Sequence, residues 1–141
     1  METKIPGIRV IDEKLPISIP AKGEHRLLNL KKSKGRLRYI VVNLQVADVL
    51  ELHIKIDGQD VFARTPQEVA AAQNNCLGIQ AVYGAGGMLQ SQVYTSSNYG
   101  IVLDFSNRPI SFEKELLIEI KNRHATTAYS TQAVYGLYEV D

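Results

Sequence analysis

The stretch LELHIKIDGQDVFA, residues 50–63, decides the fold. Leu50, Leu52, Ile54 and Ile56 share one face of an extended chain and Glu51, His53 and Lys55 the other, because successive side chains of a strand point to opposite sides. That alternation describes a half-buried β-strand; a helix would repeat its apolar positions every three to four residues. Asp57 and Gly58 follow at once. An Asp-Gly pair between alternating segments signals a type I′ hairpin, since both central residues of that turn need positive φ. The chain therefore doubles back through QDVFA as an antiparallel neighbour.

The same period extends outward in both directions. Upstream, RLRYIVVNLQVA (36–47) sets Ile40, Val42, Leu44 and Val46 against Tyr39, Val41 and Asn43, apolar on both faces for part of its length, which places it as a central strand. Downstream, strand patterns cover 77–83, 88–95, 99–105, 116–122 and 129–140, separated by GAGG (84–87), SSN (96–98), NRP (107–109) and NRHATT (122–127). The single helix is predicted over 66–73: Thr65 offers an N-cap, Pro66 the first helical position and Glu68 the third residue of a capping box. With RLLNL (26–30) the count is about eight or nine strands. The expectation is an all-β, antiparallel β-sandwich, with a jelly roll of two four-stranded sheets as first choice. QAVYG occurs at 80–84 and again at 132–136, but its flanks differ and no period recurs, so the echo reads as two strands in similar two-faced environments.

Residues 1–22 read differently from the sandwich domain at 23–141. Pro6, Pro16 and Pro20 each remove a ladder donor, yet Ile5, Ile8, Val10, Ile11, Leu15, Ile17 and Ile19 make the segment apolar. It can lie as an edge strand on its own sheet or add, as an extended arm, to the sheet edge of a neighbour; the arm is the favoured expectation.

A chain of 141 residues, 45% hydrophobic and 22% charged, can bury a core as one globular domain. Its one cysteine, Cys76, excludes an internal disulfide framework. The first twenty residues carry charges and prolines where a secretory signal would carry an apolar run, and nothing approaches the roughly 18 apolar residues of a spanning helix. Synthesis and assembly in the cytoplasm are expected. Seven of the sixteen basic residues (Lys22, Arg26, Lys31, Lys32, Lys34, Arg36 and Arg38) fall between positions 22 and 38 beside one acid, Glu24, which leaves nine basic and fourteen acidic residues elsewhere, a net of −5. Such a split suits contact between the basic patch of one copy and the acidic surface of another, or with phosphates.

Catalytic chemistry finds no foothold. His25, His53 and His124 stand in no metal-ligand or His-acid spacing; His53 is followed by Ile54 and Lys55, so the paired histidines of a cupin are missing. Cys76 has no recognisable partner and reads as a small buried apolar side chain. GAGGM lacks the lysine of a P-loop, Asp104 reads as an exposed strand residue, and the acids of EKE (113–115) as solvated charges. No catalytic, cofactor-binding or metal-binding residue is assigned, and no cofactor is expected. Lys31, Lys32, Lys34, Arg36 and Arg38, about a probable turn, form a candidate basic contact patch; nucleic acid is the less favoured partner, because no aromatic interleaving accompanies the charges. Tyr94, Tyr99 and Tyr129 are candidate ligand-loop aromatics for a carbohydrate-binding or host-recognition module, the alternative reading.

The order of these segments, from the basic hairpin through ADVLELHIKIDGQDVF, the short helix, the glycine-rich loop and YGIVLDF to SFEKELLIEIKNRHATTAYSTQAVYGLYEV, resembles small β-sandwich structural proteins of virus and bacteriophage particles: capsid, decoration and tail components. The resemblance lies in the I-DG hairpin at 56–58 and the F-x-K-x-L-x-I-x-I-x-N strand at 112–122, and it covers most of residues 26–140. It implies a self-assembling virion component, a homo-oligomer with an N-terminal arm that also meets other virion proteins, and it transfers no catalytic residue.

Overall fold

A computed structural model describes residues 7–12, 16–72, 79–83, 99–105 and 109–141. Among them the chain forms β1 (Gly7–Asp12), β2 (Ile17–Ile19), β3 (Glu24–Lys31), β4 (Gly35–Leu44), β5 (Leu50–Ile56), β6 (Gln59–Arg64), helix α1 (Pro66–Ala72), β7 (Ile79–Tyr83), β8 (Tyr99–Asp104), β9 (Ile110–Phe112), β10 (Glu115–Asn122) and β11 (Tyr129–Val140). A seven-stranded sheet runs β1-β11-β4-β8-β7, with β2 also on β11 and β9 also on β4; a four-stranded sheet runs β3-β10-β5-β6. Every pairing is antiparallel.

The pairings nest. β5 pairs with β6, β4 with β8, β3 with β10 and β1 with β11, as in one long hairpin ribbon, and rolling that ribbon brings β11 beside β4 and β10 beside β5. Counting these eight strands in chain order, one sheet reads first, eighth, third, sixth and the other second, seventh, fourth, fifth. That is jelly-roll connectivity. β7 answers the strand expected at 77–83 and lies outside β8, whereas three short strands fall beyond those counted from the sequence: β1; β2, separated from β1 near Pro16; and β9, which pairs with β4 before the chain bends into β10. The expected strand at 88–95 and residue 73 of the expected helix lie outside the described residues.

Local chemistry fixes the elements as expected. Asp57 (φ 52°) and Gly58 (φ 85°) form the left-handed pair of the β5–β6 turn. The Asp57 carboxylate does a second job across the sheet. It accepts hydrogen bonds from the backbone N–H groups of Glu115 (3.0 Å), Lys114 (2.7 Å) and Glu113 (3.1 Å), which hold its pKa below the ordinary aspartate value and fasten the hairpin to the β9–β10 bend. At α1 the capping box closes: Thr65 N–H donates to Glu68 Oε1 (2.9 Å) and Glu68 N–H to Thr65 Oγ1 (3.2 Å), while Val69 is buried in the core.

The inner faces of both sheets meet in one core. Leu50, Leu52 and Ile54 of β5 and Leu116, Ile118 and Ile120 of β10 join Ile40, Val42 and Leu44 of β4, Ile101 and Leu103 of β8, Phe112 and Val134. Close approach of strands explains two glycines. A Cβ on Gly35 would sit 1.9 Å from the carbonyl oxygen of Glu139 and 2.9 Å from the Phe112 ring; one on Gly136, the last residue of the second QAVYG, would meet Ile11, Ile40 and the Tyr39 carbonyl at 3.0 Å.

The segment expected as an arm lies on the sheet of its own chain. β1 pairs with β11 from Gly7↔Val140 to Asp12↔Tyr135, and β2 continues along the same strand from Ile17↔Thr131 to Ile19↔Tyr129. Ile11 and Ile19 are buried in the core. Asn122, itself buried, donates through Nδ2 to the carbonyls of Ile19 (3.0 Å) and Thr127 (2.9 Å), so one polar side chain ties β2 to β10 and to the loop before β11.

Candidate functional site

The register of β5 places His53 on the face of the four-stranded sheet turned away from the core, as the alternation requires, yet it is only 6% exposed, so it is not the surface histidine that its polar face suggests. Glu119 stands opposite on β10 and is 4% exposed. The His53 ring lies between two carboxylates: Nδ1 is 3.4 Å from Glu119 Oε1 and Nε2 is 3.2 Å from Asp60 Oδ1 on β6. Cations rim the cluster, with Arg26 of β3 at 3.9 Å and Lys121 at 3.6 Å from Glu119, and Lys55 at 4.0 Å from Asp60. One turn away, Arg123 bridges buried Glu51 and Glu68 of α1. Four strands and the helix are thus laced by charges across this face. The acids are matched by cations, which is the arrangement a structural network needs in a half-desolvated place. The sequence signal was the EL-HIK alternation itself; the missing information was that β10 would set Glu119 against His53.

The remaining candidates for chemistry do not gather around it. His25 on β3 is in register with inward-facing Ile120 and so belongs to the opposite face. His124 sits in the β10–β11 loop, where its Nδ1 accepts from the backbone N–H groups of Thr126 (3.1 Å) and Thr127 (3.0 Å) and its ring meets Tyr129 edge-on. Asp104 is exposed at the end of β8. Among the described residues no three His, Cys, Asp or Glu side chains come together as a metal site would require. Cys76 and the glycine-rich loop at 84–87 lie outside the described residues.

The basic patch is answered from within the chain. Lys34 lies 3.6 Å from Glu113, Arg36 lies 2.8 Å from Asp141 and 3.6 Å from Glu139, and Arg38 donates to Glu139. These pairs arise because β4 runs antiparallel beside the acidic end of β11. Arg38 holds the Glu139 carboxyl below its usual range, and Asp141 raises the Arg36 guanidinium. Lys31 and Lys32 are exposed at the β3–β4 turn, where Lys32 adopts φ 52°. The segregated charge of the sequence is therefore largely joined in the folded chain.

The candidate aromatics divide. Tyr94 lies outside the described residues. Tyr99 continues the inward row of Ile101 and Leu103, and Tyr129 packs against the core, so neither stands on an outer platform. The outward pair is one that loop position did not suggest: Tyr39 on β4 and Tyr135 on β11, edge to face with centroids 6.2 Å apart, Tyr135 being exposed. Burial, and then Asp104 across the ladder, pushes the Tyr39 hydroxyl above its ordinary pKa. Beside this pair the outer face continues through Leu137 to β1, where Ile8 and Val10 are 66% and 53% exposed. The candidate arm residues thus split by alternation, Ile8 and Val10 outward, Ile11 inward and Ile19 into the core; Ile17 is half-buried, and Ile5 and Leu15 lie outside the described residues.

No known protein family matches the chain, and none of the curated proteins is significantly similar to it. No helix among the described residues is long and apolar enough to cross a membrane.

Proposed function

We propose that this chain is a non-enzymatic structural subunit that assembles with copies of itself, of the kind that builds capsid, decoration or tail parts of virus and phage particles, assembling in the host cytoplasm. The observation that carries the reading is an edge strand with no outer neighbour among the described residues of a jelly-roll body: β1 offers exposed Ile8 and Val10 on the outer face of the larger sheet. Monomeric proteins avoid such edges, and assembling ones use them. The internal pairing of Lys34, Arg36 and Arg38 with acids supports the same reading, since it reduces the charge these residues offer a nucleic-acid backbone.

Light scattering of the full chain over a range of protein and salt concentrations, with electron microscopy of the same samples, tests it. Discrete oligomers or regular particles are expected. A monomer under every condition, with nothing regular in the micrographs, overturns it. The Tyr39–Tyr135 pair favours one second reading, a carbohydrate-binding surface, because exposed aromatic edges beside a carboxylate suit sugar rings. Glycan binding that disappears in Tyr135→Ala while the fold persists would support that reading.

A further inference from the structure

Among the described residues the two sheets end at four edge strands, β1, β7, β3 and β6, and three of these are blunted. β3 carries exposed Glu24, Arg26 and Lys31, and its ladder to β10 is interrupted between Ile118 and Glu119. β6 is bulged where two of its residues oppose the Ile54–Lys55 step, throwing Val61 out of register. β7 has helix α1 packed beside it. β1 carries charge at Arg9 and Asp12 but has neither a bulge nor a covering element among the described residues. It runs in unbroken register with β11 for six residues, has no second neighbour among the described residues, and bears the two most exposed large hydrophobic side chains described, Ile8 and Val10. Charges, bulges and cover are the means by which sheets refuse edge-to-edge pairing, and the edge that lacks the last two and exposes Ile8 and Val10 is the one open to pairing.

We propose that β1 pairs antiparallel with β1 of a second copy, about a two-fold axis perpendicular to the sheet at Val10, so that the two larger sheets become one. The inference rests on the self-assembly reading and names its surface. A two-fold of this kind keeps outward residues outward, so only registers that set outward against outward positions are allowed. Centred on Arg9, the pairing would oppose two like charges across the axis, which is destabilising. Centred on Val10, it sets Val10 against Val10, Arg9 against Ile11 and Ile8 against Asp12. The cross-strand row Tyr39, Leu137, Val10 then continues into the same row of the second copy in reverse. That register sets no like charges against each other and keeps an apolar pair at the axis.

The test is sedimentation of the full chain as wild type, Val10→Lys, Val10→Glu and an equimolar mixture of the two variants, each checked for folding by circular dichroism. The wild type is expected to be a dimer or a multiple of dimers, each variant alone to fall to half the mass of the pairing unit, and the mixture to recover it. As a second measurement, Val10→Cys in a Cys76→Ser background is expected to oxidise to a covalent dimer, whereas Val61→Cys on the bulged edge is not. An oligomer whose mass both charged variants keep, with no Val10 cross-link, overturns pairing through β1 while leaving self-assembly standing. A monomeric wild type overturns both.

Discussion

Two residues show how much rests on single positions. Gly35 lies where β4 pairs with the end of β11, opposite Val140, and no rotamer can relieve a Cβ placed 1.9 Å from a backbone oxygen. Gly35→Ala must push the strands apart and disturb Phe112 below; a loss of about 1–3 kcal/mol, the usual range for overpacking, is expected in urea denaturation. Asp57 makes a different prediction, one of pH. Its folded-state pKa is depressed by the three N–H groups it accepts from, so its contribution to stability is present above the unfolded value, about 4, and is lost as pH falls through the lower folded value. Asp57→Asn keeps a residue that tolerates positive φ and a carbonyl acceptor but does not titrate. The variant's unfolding midpoint is expected to fall less steeply than that of the wild type between about pH 5 and pH 3. Part of the decline will remain, because Glu139 is depressed by Arg38 in the same sense.

At the scale of elements, the charged lacing of the smaller sheet can be separated from its packing. Glu119→Val leaves His53, Arg26 and Lys121 facing a missing partner and is expected to cost on the order of 3 kcal/mol, as breaking a buried pair does. His53→Val with Glu119→Val replaces the pair by β-branched side chains and is expected to recover most of that loss by thermal and urea unfolding. If the double variant is as unstable as the single one, the cluster is held by more than its central pair. What the sequence disclosed about such elements followed locality. The β5–β6 hairpin, the capping box and the outward and inward faces of β4 and β10 depend on residues within a turn or two, and alternation and turn chemistry suffice to read them. The pairing of β10 with both β3 and β5, which buries His53 against Glu119, depends on contacts more than sixty residues apart. Arg36 meets Asp141 across a still longer gap, so a patch that is basic in sequence is paired in space. The Tyr39–Tyr135 surface was hidden for the same reason, since both residues stand mid-strand and only the pairing of β4 with distant β11 brings them together.

For the whole molecule, the placement of β1 and β2 changes what a truncation means. A chain beginning at Lys22 would lose Ile11 and Ile19 from the core, the acceptor of Asn122 at Ile19 and the outer neighbour of β11. It is expected to be unfolded or strongly destabilised in circular dichroism and denaturation. Substitution of outward residues is therefore the cleaner probe of assembly than removal of the segment. The nested topology also predicts slow folding, in milliseconds to seconds, because the pairs that close the roll join distant parts of the chain. One further consequence concerns the ribosome. β11 lies between β1 and β4, so both strands wait, each lacking the same neighbour, until the last of the twelve described elements has been made. A nascent chain can form the β5–β6 hairpin early but cannot seal the larger sheet part-way. A messenger cut short before residue 129 would yield a product with two unsatisfied strand edges at its centre, one that chaperones and proteases can distinguish from the finished molecule without reading anything but exposed backbone.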